Sequence, residues 1–257
     1  MYLFNSGVLV CTPNAGNLSA LPTPLALGVL QEGSIDVSFE VKELYGQAQF
    51  PVDVATGKGK VTGKAKFASI TGKTLTDIIF GQSTAVGYNS PVYNEGPTSI
   101  PATPFTITVT NATNYIADLG VINAATGVPF VCISTVGGGT PTAGQYSVSL
   151  TGANKGKYIF SSADNVSGIK VLISYIYSVA ASGLSITIAN QLMGYGPIFE
   201  ADLFIQYEAQ VALTRWFACR MTKWSFPAKQ GDYLIQDVEF AMFANAAGNL
   251  AELDFSQ

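Results

Sequence analysis

Acidic residues in close succession are the first candidates for chemistry: Asp36 with Glu40, and Glu200 with Asp202 and Glu208. Two carboxyl groups facing each other across a cleft divide the roles of acid and base, a function set by their separation in space. Spacings of two or four along an alternating segment instead place the acids side by side on one strand face. Gly57-Lys58-Gly59-Lys60 and Gly137-Gly138-Gly139 offer backbone N–H groups that a phosphate would use. Neither has the spacing of a P-loop, nor of GxGxxG between a strand and a helix, so flexible turns are expected at both. Cys11, Cys132 and Cys219 are odd in number, far apart and without CxxC or metal spacing. Reduced, mostly buried thiols in a cytosolic protein are expected. The chain has no histidine, which removes Ser-His-Asp and Cys-His nucleophiles, HExxH sites and His-bearing zinc sets. Asp118, Asp164 and Asp237 form no EF-hand loop. No catalytic residue, metal ligand or cofactor is expected, and the chain reads as a non-enzyme.

The composition points towards burial by partners. The chain has 257 residues, room for one large domain or two modest ones, and 13 basic against 17 acidic residues give a net charge of -4. Charged residues are 12% of the chain, about half the usual 25%, and mean hydropathy is +0.30. A compact monomer of this mass exposes on the order of 10,800 Å2, so charge covers it sparsely. Either partners bury much of that surface or part of the chain enters a membrane. Residues 171–199 are uncharged, but serines interrupt Val171–Ala189, and Leu184, Ile186 and Ile188 alternate with polar or small residues. Two strands around Gly183 are expected rather than a membrane helix. The first basic residue is Lys42, so the start does not read as a signal peptide. The acidic balance argues against a grip on nucleic acid. The aromatic and basic residues between Trp216 and Trp224 are expected in a core or a subunit interface.

The elements that would position these residues are mostly strands. Residues 1–33 hold no Lys or Arg and are broken by Pro13, Pro22 and Pro24, which suggests an extended arm lying on a neighbour or on the domain surface. Ile35, Val37, Phe39 and Val41 alternate with Asp36, Ser38, Glu40 and Lys42, predicting a half-buried strand. A second strand is predicted near 47–54. Over 57–69, Lys58, Lys60, Lys64 and Lys66 share one strand face, as a solvated surface, against an acidic neighbour on the next subunit, or facing DNA. A short helix is predicted over 71–81, capped by Thr71 or Thr74 and ended by Gly81. The prolines of 82–104 suggest a linker or long excursion, and the short strands after it suit an inserted small β-sandwich. The expected division is an arm over 1–33, a main domain over 34–102 and 179–257 ending in a short tail, and an insert over 103–178.

Two blocks carry a resemblance. One is LQEGSIDVSFEVKELYGQAQFPVDVATGKGKVTGKAKFASITGKTLTDIIFG, residues 30–81. The other is residues 194–253, from GYGPIFEADLF to FAMFANAAGNLAEL. They resemble the tail tube (major tail) proteins of long-tailed bacteriophages, related in fold to type VI secretion tube proteins. Between them, DLGVINAATGVPF, GQYSVS and YIFSSAD resemble inserts of phage structural proteins. The resemblance implies a mainly β fold, a barrel or two packed sheets with one short flanking α-helix; the inserted small β-sandwich over 103–178 departs from a minimal tube subunit and is expected on the outside. It implies homohexameric rings, stacked with other phage tail proteins into a conduit for DNA. Viral DNA would pass without sequence-specific binding, in a virion tail made in the host cytoplasm and not in a membrane. Asp36, Glu40, Glu200, Asp202 and Glu208 become candidate lumen-facing acids. Lys58, Lys60, Lys64, Lys66, Leu9 and Val10 become candidate inter-subunit contacts. A decoration or fibre-associated phage protein and a secretion-system tube protein are the alternatives.

Overall fold

The computed structural model describes residues 7–14, 23–69, 71–207 and 210–256. It is mainly β. In chain order the strands are β1 (Gly7–Pro13), β2 (Leu25–Ala26), β3 (Leu30–Tyr45), β4 (Pro51–Phe67), β5 (Thr84–Ser99), β6 (Thr106–Thr108), β7 (Tyr115–Asn123) and β8 (Val131–Ser134). They continue as β9 (Gln145–Val148), β10 (Lys157–Phe160), β11 (Lys170–Ile186), β12 (Ile198–Tyr207), β13 (Gln210–Ser225), β14 (Gln236–Met242) and β15 (Ala251–Phe255). The chain divides into two compact units, Met1–Thr84 with Ile186–Gln257, and Ala85–Ser185.

The first unit is built on one antiparallel sheet, ordered β2-β1-β12-β13-β14-β4-β3, with β15 paired to β13. One face is apolar. Leu9, Phe67, Phe199, Ala201, Trp216, Cys219, Val238 and Phe240 form its core together with Ile78 and Ile79 of a short helix. That helix starts as α1 (Gly72–Thr74), where the Thr71 hydroxyl accepts from the Thr74 N–H at 3.3 Å. It widens into a π-helical turn, Leu75–Phe80, and ends at Gly81, whose φ of 61° suits a residue without Cβ. Leu9 near one end of the sheet and Ile35 at the other pack into the same core, so the sheet curls around it. Gly63 is required here: a Cβ would lie 2.4 Å from the Phe240 ring that crosses it.

The second unit has two small sheets, β6-β10-β9-β8 and β5-β11-β7. They share a core of Tyr115, Val121, Tyr146, Val148, Tyr158, Phe160, Val171, Ile173 and Tyr175. A short helix, α2 (Ser162–Val166), is capped by the Ser161 hydroxyl.

Several expectations need correction. The described part of the 1–33 arm is woven into the sheet, with β1 paired to β12 and Leu9 and Cys11 buried. The absence of charge there reflects a core strand. The 82–104 linker contains β5, because Pro91 and Pro97 sit in a strand that pairs on one side only. The second unit therefore spans 85–185 rather than 103–178. The strands expected near 47–54 and 57–69 are one strand, β4, and the pair expected around Gly183 is one strand, β11. The short tail forms β15.

Candidate functional site

The face of the first sheet opposite its core alternates in charge from strand to strand. Glu32 of β3 reaches Lys66 of β4 at 2.5 Å, and Lys64 reaches Glu239 of β14 at 3.8 Å. Lys223 of β13 meets the same Glu239 at 3.3 Å. Register explains the pattern: Glu32 and Asp237 both lie opposite Lys66, and Glu239 lies opposite Lys64. Cross-strand neighbours of opposite sign stabilise a sheet face, each exposed pair by about 0.2–1 kcal/mol. For Lys64 and Lys66 the acidic neighbour is in the same chain. Lys58 and Lys60 are exposed and make no ion pair among the described residues.

Arg215 organises the acids further along this face. Its Nε lies 3.2 Å from both Glu200 and Asp202 on β12, and its Nη1 lies 3.5 Å from Glu252 on β15. Asp36 and Glu40 stay on β3, four strands away in the sheet order, and both are exposed. Glu208 lies outside the described residues. Asp202 is 8% exposed, and Val10, its register partner on β1, is half-buried beside it. Leu9 points into the core at 5% exposure and is not available to a second copy. This corrects its assignment as an inter-subunit contact, because β1 puts alternate residues on opposite faces.

Burial and the neighbouring Asp202 raise the Glu200 carboxyl above its usual range, and Arg215 only partly offsets them. Despite the 3.2 Å contact, the shared guanidinium does not make ionised Glu200 favourable. With the folded pKa above the unfolded one, ionising Glu200 costs stability at neutral pH, and the cost disappears as pH falls through the unfolded value near about 4.3. Glu200→Gln is therefore expected to raise the thermal midpoint slightly at pH 7 and to match the parent below about pH 4. A lower midpoint at pH 7 would show that the ion pair dominates.

Burial pushes the Cys219 thiol up to about 12 and Cys11 well above its ordinary value, which leaves both unreactive. Cys132 is exposed. Among the described residues no group of three metal-binding side chains comes together. Among the described residues no helix is long and apolar enough to cross a membrane.

The most unusual feature is a projecting arm. β14 pairs with β4 only from Val61 to Phe67, while β3 and β4 stay paired to one another out to Tyr45 and Pro51. Beyond Val37 the hairpin is a two-stranded ribbon, exposed almost throughout. Register puts Val37 opposite Val61, Phe39 opposite Gly59, Val41 opposite Thr56 and Glu43 opposite Val54. Cross-strand partners share a face, so Val37, Phe39, Val41 and Val54 continue the apolar face that Val61 carries into the core. In the arm they are 53–59% exposed. Ser38, Glu40 and Lys42 occupy the other face by alternation.

The arm and Arg215 were not singled out by sequence reasoning. The alternation of Val37, Phe39 and Val41 was visible, but alternation looks the same in a strand inside a sheet and in one that leaves it. Compared with known proteins, the chain matches no family model and no curated protein.

Proposed function

We propose that this chain is a self-assembling structural subunit of the tail tube kind. Six copies close a ring, and rings stack into a conduit for DNA. The observation that carries this reading is the amphipathic arm. An isolated two-stranded ribbon is at best marginally stable in water, and one with an apolar face is hardest to leave uncovered. Its natural cover is another copy, because the contact then repeats and closes by symmetry.

In this reading the curled first sheet contributes its strands to an inner barrel formed between copies, and its charged face lines the lumen. Lys64, Lys66, Lys223 and Arg215 are neutralised by carboxylates on adjoining strands. Such a surface holds few free cations to release counterions from DNA and retain it. Asp36, Glu40, Glu200 and Asp202 are the lumenal acids of the proposal. Reversing Glu200 and Asp202 to lysine is expected to slow DNA release from particles that still assemble, and unchanged release would remove those residues from the lumen.

Negative-stain microscopy of the purified protein tests the whole reading. Six-fold rings or hollow tubes support it. Dispersed monomers or trimers at high concentration overturn it and favour a decoration protein.

A further inference from the structure

Among the described residues β15 pairs with β13 alone, from Ala251 opposite Trp216 to Phe255 opposite Ala212, so its other edge is open. The Leu250 carbonyl accepts from the Phe217 N–H at 3.3 Å, and the Ser256 N–H donates to the Val211 carbonyl at 2.9 Å. Residues of that parity turn their backbone groups towards β13. Ala251, Leu253 and Phe255 therefore turn theirs to the open side. Their side chains share the core face of the sheet. Ala251 packs against the core, whereas Leu253 and Phe255 run beyond it and are 56% and 54% exposed. Glu252 and Asp254 take the opposite, charged face, where Glu252 meets Arg215.

The arm carries the matching edge. From Pro51 to Lys60, β4 pairs with β3 only. Its apolar face there holds Val54, Thr56 and Gly59, opposite Glu43, Val41 and Phe39. Lys60 lies opposite Ser38 on the other face, and Lys58 stands beside it in the bulge between Phe39 and Val41.

We propose that the β4 edge of the arm in one copy pairs antiparallel with the β15 edge of the next. The pairing rests on the assembly proposed above and names the surface that receives the arm. Strand polarity fits: β14 and β15 both run antiparallel to β13, and β14 runs antiparallel to β4. The contact thus repeats between copies the arrangement that β14 and β4 make within one. The faces fit as well. Opposed residues share a face, so setting Leu253 and Phe255 beside Val54 and Thr56 also sets Glu252 and Asp254 on the side of Lys58 and Lys60. A slip of one residue would lose the apolar match and the charge match together. Both halves of this complementarity reside in one sequence, which makes a second copy the partner.

Charge reversal followed by sedimentation velocity on the full chain tests the pairing. Lys58→Glu with Lys60→Glu, and separately Asp254→Lys, are each expected to raise the concentration needed for assembly about tenfold or more, because repulsion replaces attraction at every contact. Combining the three changes is expected to restore assembly to within about threefold of the parent. All three positions are exposed, so circular dichroism of every variant is expected to match the parent's. Assembly of either reversed variant at the parent's concentration, or failure of the combined variant to recover, would overturn the pairing while the parent's rings keep the assembly reading intact. A parent that stays dispersed at high concentration would overturn both.

Discussion

Replacing Phe39 and Val41 with aspartate is expected to abolish assembly while both units remain folded. The two side chains are 59% and 57% exposed in the isolated chain, so their own fold loses little when they change. At an interface the balance reverses. Fully burying a large apolar side chain contributes about 1.5–3 kcal/mol, and an aspartate in its place must be stripped of water without a partner. Two such changes per copy weaken each contact by roughly a thousandfold or more. Because a closed ring repeats the contact, the loss is compounded. Sedimentation velocity would show only the subunit's own mass, and circular dichroism would be unchanged. Ser38→Asp, on the opposite face of the arm, is the control and should assemble normally. Assembly of the double aspartate variant at the parent's concentration would mean that the arm is not the contact.

The second large effect lies in the Ala85–Ser185 unit. Asp118 accepts hydrogen bonds from the Tyr146 and Tyr158 hydroxyls and the Gly120 N–H, at 2.5, 2.8 and 3.0 Å. Tyr158 has one proton and gives it to Asp118, so across the 3.0 Å contact with Tyr115 it is Tyr115 that donates. Three buried phenols thus end on one carboxylate. Asp118→Ala leaves at least two hydroxyls without an acceptor in the core, and each unsatisfied group costs about 1–3 kcal/mol. A loss of about 3 kcal/mol lowers the midpoint of a unit this size by roughly 10–20 °C. Calorimetry should show that shift in one transition, with the transition of the other unit unmoved. A shift of a degree or two would mean that water replaces the carboxylate.

The same network sets an alkaline limit. Burial raises Tyr115 to about 12, and burial with the Asp118 interaction raises Tyr146 and Tyr158 further. A phenol whose folded pKa exceeds its unfolded value of about 10 favours the fold below that value, and the contribution falls as pH rises above it. Late, cooperative tyrosine ionisation at 295 nm accompanied by unfolding of this unit is the expected signature. Independent titration of all tyrosines near their ordinary value would contradict it.

Much of the fold could be read from residue order because strand periodicity is local. The parity of Lys60, Lys64 and Lys66 predicts one face, which the register shows, and the alternation of 35–42 predicts a strand, but a half-buried one, whereas 36–42 are exposed because no third strand covers them. The helix ending at Gly81 was equally plain, since its cap and its stop lie within ten residues. The 82–104 segment was misread because proline signals a break without revealing that its strand pairs on one side only.

What no local pattern contains is which strands become neighbours. Arg215 meets Glu200, Asp202 and Glu252 because β13 lies between β12 and β15. Asp118 collects Tyr146 and Tyr158 because two small sheets close on one core. The apolar face of β3 is half-buried against the core at Ile35 and left bare at Phe39 only because β14 ends opposite Val61. The order of residues by itself determined a charge-poor, β-rich chain with alternating faces and no histidine chemistry. Tertiary structure decided which of those faces its own chain covers, because pairing and burial join residues far apart in the chain.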